Sequence, residues 1–63
     1  MEDFKRRLIE EQVQLEDKLA KLNAFIGSEK SKSIDPVQRS LLIIQAGAMH
    51  TYNECLKERL SRL

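Results

Sequence analysis

Between Glu2 and Ile26 the chain contains neither glycine nor proline, and from Pro36 to the end it is interrupted only by Gly47. Those two runs are separated by one polar interval, "GSEKSKSI". Such a pattern leaves little room for anything but two long helices joined by a turn. The first run, "EDFKRRLIEEQVQLEDKLAKLNAFI", is dense in Glu, Lys, Leu and Gln, all strong helix formers. Its apolar residues Phe4, Leu8, Leu15, Leu19, Leu22 and Phe25/Ile26 recur at helical rather than strand spacing. Glu2 and Asp3 suit the positive end of the helix dipole, and Gly27 is the natural residue to end the helix.

Asp35-Pro36-Val37-Gln38 announces the second helix. Asp is a favoured N-cap, Pro is tolerated in the first turn, and Gln three residues on can reach back to the cap. The expectation is a single all-α domain over residues 1–63, an antiparallel two-helix hairpin assembling into a homo-oligomer. Helix 1 covers about 3–26, a loop about 27–35, and helix 2 about 36–62. Helices of this size are about 36 to 42 Å long at 1.5 Å per residue.

Sixty-three residues bury little of their own surface, and folds of this size usually add disulfides, a metal or further subunits. The lone Cys55 has no internal disulfide partner, and with the single His50 there is no zinc-type cluster, so no metal or cofactor is expected. Self-association is what remains. Helix 2 supplies the means: with Leu42, Met49 and Tyr52 turned to helix 1, the residues Leu41, Ile43, Ile44, Ala46 and Ala48 are left over, and Gly47 removes bulk beside them. A helix apolar nearly all round is a buried helix. These six positions are therefore the expected oligomer interface, most simply a two-fold one.

Eleven basic against ten acidic residues give a net charge of +1, which argues against a DNA or RNA binder held by its overall field. No apolar run approaches a membrane span, and "MEDFKRR" has no apolar signal core, so no membrane partner is expected. Catalysis is not expected either. His50 and Cys55 stand at i and i+5, poorly aligned on one helix face, and no phosphate loop, zinc helix or serine elbow occurs.

Written as heptads, helix 1 places Leu8, Leu15 and Leu22 in one column, with Phe4, Glu11, Lys18 and Phe25 in a second. Helix 2 gives Leu42, Met49, Leu56 and Leu63, with Gln45, Tyr52 and Arg59. Facing positions in an antiparallel pair share a nearly constant sum of residue numbers. A sum near 63 or 64 sets Lys18 against Gln45, Glu11 against Tyr52, and Phe4 against Arg59 at the open end. An aromatic face beside a guanidinium can stack a base and hold a phosphate. Spacing alone equally allows a plainer reading. Phe4 then caps the core, Arg59 lies along its edge, Lys18 reaches water, and Tyr52 satisfies Glu11.

The combination of Phe4, Arg7, Glu11, Leu15, Lys18, Leu22, Phe25 and Ile26 with Leu41, Leu42, Gln45, Met49, Tyr52, Leu56, Arg59 and Leu60 resembles a known family. It is similar to the helical-hairpin domain of phage anti-defence sponge proteins, which counter the CBASS and Thoeris immune systems. The resemblance implies binding without catalysis, in the host bacterial cytoplasm. Its ligands would be cyclic dinucleotides such as cyclic GMP–AMP, cyclic trinucleotides or cyclic ADP-ribose isomers. It also implies multimers, commonly hexamers, with pockets between protomers. Phe4 matches the family's stacking aromatic, Arg59 its late basic residue and Lys18 its first-helix lysine, with Arg7 as a further cation. Many relatives carry Tyr where this chain has Phe4, which keeps the stacking face and loses a hydroxyl. The alternative is a homo-oligomeric protein-interaction module with no small-molecule ligand.

Overall fold

A computed structural model describes residues 2–63. The element order is α1 (Glu2–Ile26), α2 (Glu29–Lys32) and α3 (Pro36–Ser61), with no strand among the described residues. The long helices α1 and α3 pack along each other as a hairpin, giving a rod 46 × 14 × 13 Å in extent.

The start of α3 is built from the residues that announced it. Asp35 is the N-cap, and its Oδ2 accepts a hydrogen bond from the backbone N–H of Gln38 at 3.1 Å. Pro36, which has no N–H to lose, fills the first helical position. At the other end of the turn the details differ from expectation. Gly27 does not adopt a left-handed conformation, and its N–H still bonds the carbonyl of Asn23 at 3.1 Å. The chain leaves the helix at Ser28, whose backbone is extended (φ −87°, ψ 162°). A Cβ at Gly27 would meet only ordinary contacts, the closest being the Asn23 carbonyl at 3.6 Å, so glycine is not demanded there.

The interval expected as plain loop contains the short helix α2, held by Ser31. Its side chain is fully buried, and its hydroxyl lies 2.6 Å from the carbonyl of Ile26 and 3.0 Å from that of Ser28. The Ile26 carbonyl is one that the end of α1 leaves without a helical partner, while that of Ser28 also accepts the backbone N–H of Ser31 at 3.3 Å.

The seam runs one column away from the expected one. On α1 it comprises Leu8, Gln12, Leu15, Leu19, Leu22 and Ile26; on α3 it comprises Arg39, Leu42, Ala46, Met49, Asn53, Leu56 and Leu60. These positions alternate in steps of four and three, the spacing of side chains interlocking between two helices. Glu11, Lys18, Gln45, Tyr52 and Arg59, expected within the seam, are all exposed. The reason is apolar area. Passing through Leu15–Leu19–Leu22 buries Leu19, whereas passing through Lys18 would press an ammonium against leucines.

Ala46 is corrected by the same shift. The pattern puts it on the outward flank, but it is 8% exposed and belongs to the seam. Leu41, Ile43, Ile44, Gly47 and Ala48 do face outward.

One polar pair interrupts the seam. Asn53 is 3% exposed; its Oδ1 accepts from Gln12 Nε2 at 3.1 Å, and its Nδ2 donates to Glu16 Oε1 at 3.4 Å. Buried amides satisfied in this way fix register more than they add stability.

Candidate ligand-binding face

The heptad columns excluded from the seam stand together on one side of the hairpin. Residues seven apart on a helix lie above one another to within about 20°. Phe4, Glu11 and Lys18 therefore form one exposed row on α1, and Gln45, Tyr52 and Arg59 form another on α3. The two rows are joined at the open end of the rod, where the Arg59 guanidinium carbon sits 6.0 Å from the centre of the Phe4 ring. Phe4 is 51% exposed, so a large part of its ring is available to a second flat group.

Ion pairing separates the cations of the chain. Arg6 pairs with Asp3 at 3.2 Å, Lys21 with Asp17 at 3.0 Å and Arg62 with Glu58 at 2.9 Å, each within its own helix. Arg7, Lys18 and Arg59 make no ion pair among the described residues, a property they share with Lys5, Lys30 and Arg39. Guanidinium groups without a carboxylate keep their forked donors for a phosphate.

Beside Phe4 lies an open hollow of about 210 Å³, lined by Glu2, Phe4, Lys5 and Leu63. Pockets that enclose a small ligand usually run from about 300 Å³ upward, so one copy offers a ledge rather than a pocket. Lys18 is fourteen residues from Phe4, about 21 Å along the helix. One chain does not bring both to one small ligand, and Lys18 can join Phe4 only from a second copy.

Tyr52, which the heptad pattern puts in the seam, is 46% exposed and stands on the same side as Arg59. Its spacing of seven from Arg59 was the signal that associated them. A second, shallower hollow of about 340 Å³ lies nearer the turn, lined by Asn23, Ile26, Ile43, Ala46, Gly47 and His50. It holds no lysine or arginine, so its polar groups, Asn23 and His50, offer a phosphate no fixed positive charge. Among the described residues no group of three His, Cys, Asp or Glu side chains is placed to hold a metal ion, and no helix is long and apolar enough to cross a membrane.

On the opposite side, Lys57 spans the helices to Glu16 at 3.0 Å and also reaches Glu54 at 3.7 Å. The hydrogen bond from Lys57, with help from Asn53, holds the Glu16 carboxyl below the usual glutamate range. The Glu16 hydrogen bond and charge in turn raise the Lys57 ammonium above its ordinary value.

Fold and face together define a small helical-hairpin protein with a cationic, aromatic ledge at its open end. The chain belongs to the Sequestin family, whose profile matches residues 2–62. It is similar to an uncharacterized 7.5 kDa protein in the denB-rIIB intergenic region of Enterobacteria phage T4. The two are 34% identical over 59 residues, covering 94% of this chain and 92% of the phage protein. No solved structure matches the chain.

Proposed function

We propose that the chain is a phage anti-defence protein that binds cyclic oligonucleotide immune messengers and holds them, unaltered, away from the host effectors they would activate. The ligand class is cyclic dinucleotides such as cyclic GMP–AMP, with cyclic trinucleotides and cyclic ADP-ribose isomers as further members. The family's name speaks of sequestration, and the curated relative comes from a phage. The observation that carries the reading is the Phe4–Arg59 pair, an exposed ring face beside a guanidinium with no carboxylate partner. Stacking of a base on an aromatic contributes about 1–3 kcal/mol, and a phosphate on the free fork of Arg59 adds a charge-assisted bond. Arg7 stands on the same helix, and Lys18 is contributed by another copy in a homo-oligomer, up to a hexamer. The setting is the host bacterial cytoplasm, and no chemistry is done on the ligand.

The test is a thermal-shift screen against cyclic GMP–AMP, a cyclic trinucleotide and cyclic ADP-ribose isomers, followed by calorimetry on whatever stabilises. A tight ligand in large excess raises the melting point by several degrees. F4A and R59A abolish the shift while circular dichroism shows intact helices, and the nucleotide recovered after denaturation is unchanged. If none of these nucleotides shifts the melt, the protein-interaction reading takes over. In that reading Phe4, Lys18 and Arg59 are structural, and the homo-oligomer docks a protein instead of a small molecule.

A further inference from the structure

We infer that the hollow beside Gly47 is a second ligand site, which takes an uncharged adenine nucleoside between Asn23 and His50 and works apart from the ledge at Phe4.

The hollow exists because the groove between the helices loses its filling near the turn. On this side of the hairpin the Lys57–Glu16 bridge closes the groove at 3.0 Å, with Asn53 buried in the seam beside it and Glu54 on its flank. Seven residues toward the turn, about 10.5 Å along either helix, the same positions recur with other side chains. His50 stands where Lys57 would, and Asn23 where Glu16 would. Ala46 and Gly47 take the places of Asn53 and Glu54.

Each replacement opens space. Asn23 and His50 carry no opposite charges to draw them together, and neither side chain makes a hydrogen bond among the described residues. Ala46 ends at its Cβ, and a Cβ added at Gly47 would meet nothing within 4 Å. What remains is a hollow of about 340 Å³, walled by Ile26 and Ile43. Small-molecule sites begin at about 300 Å³.

The lining selects the ligand. None of its six residues is Asp, Glu, Lys or Arg, so a charged group finds no counter-charge there. A flat neutral group finds complementary surfaces instead. Ile26, Ile43 and the bare backbone at Gly47 are apolar, and the His50 ring is a face on which a base can stack. The Asn23 amide keeps its carbonyl and its NH2 free. Adenine presents an amino donor beside a ring-nitrogen acceptor, the pair that an asparagine amide meets with two hydrogen bonds.

Two distances keep the site independent. Asn23 is about 28 Å from Phe4 along α1, so one small nucleotide does not reach both. The outward residues Leu41, Ile44 and Ala48 lie about 140–160° around α3 from Ala46. Copies that meet through them leave the hollow open.

The test is a nitrogen–proton NMR titration of the full chain with adenosine. Amides at Gly47 and His50, and the Asn23 side-chain NH2, should shift together and saturate by about 5 mM. N23A should weaken binding about fivefold, as should purine riboside in place of adenosine, since each removes part of the paired hydrogen bonds. G47E restores the carboxylate found one heptad away and should abolish the shifts, with circular dichroism showing intact helices. F4A combined with R59A should leave them unchanged. The inference is overturned if adenosine shifts none of these groups, if the shifts fall at Phe4 instead, or if neither N23A nor purine riboside weakens binding. Adenosine binding at Gly47 with no response to any cyclic nucleotide would strike the proposed function and leave this site standing.

Discussion

Arg59, in the last turn of α3, lies over the ring of Phe4 in the first turn of α1, 6.0 Å from its centre. The contact closes the open end of the hairpin and places a cation and an aromatic face side by side. An exposed pair of this kind contributes about 0.5–1 kcal/mol. A double-mutant cycle of F4L and R59M, followed by urea denaturation, should return a coupling energy of about that size.

Leu56 is the most enclosed apolar side chain, 1% exposed between Leu8 and its neighbours Met49 and Leu60. Truncating a buried leucine costs about 2–5 kcal/mol. So small a fold has little more than that to lose, and L56A should be largely unfolded at 37 °C by circular dichroism.

Asn53 and Gln12 hold the two arms in register from within the seam. Replacing Asn53 with leucine trades a satisfied amide for apolar packing. N53L should melt at a higher temperature than the wild type. It should also give extra amide resonances in a nitrogen–proton NMR spectrum, as alternative registers become populated.

Gly47 sits inside α3, and a Cβ there would meet nothing within 4 Å in one copy. Glycine weakens a helix interior by about 0.5–1 kcal/mol relative to alanine. G47A should raise the denaturation midpoint by a corresponding amount.

The Glu16–Lys57 bridge gives stability a direction in pH. The folded state lowers the Glu16 pKa, so its contribution is present above the unfolded glutamate range and lost as pH falls through the lowered value. Lys57 is raised, so its contribution is present at neutral pH and lost as the solution becomes strongly alkaline. Both groups are exposed and the effect is small. E16Q should narrow the gap between melting points at pH 7 and pH 3, and leave the remaining pH dependence in place.

The two helices and the Asp35 cap were legible because Gly, Pro and Asp act locally. The meeting of Phe4 with Arg59 was legible because an antiparallel pair fixes which levels face each other. The column that enters the seam was not. Lys18 and Leu19, or Gln45 and Ala46, differ by one position and share nearly the same pairing sum. α3 is apolar on so many sides that its pattern does not mark the inward one. The choice falls to how much leucine each alternative buries and to whether Asn53 finds Gln12, which only packing decides. Gly27 misled for a similar reason. The exit from α1 is made by Ser28 and tied by Ser31, so the left-handed turn that glycine permits is not used.

Ser31 gives the molecule a mechanical bias. With the turn tied by its hydroxyl, the two arms are joined at the back, and the fraying expected of helix ends falls at the tips. A guest stacked on the open face of Phe4 beside Arg59 would therefore tie the two arms at the end farthest from the turn. Amides in the terminal turns of both helices should then slow their hydrogen exchange most, while those around Ser31 scarcely change.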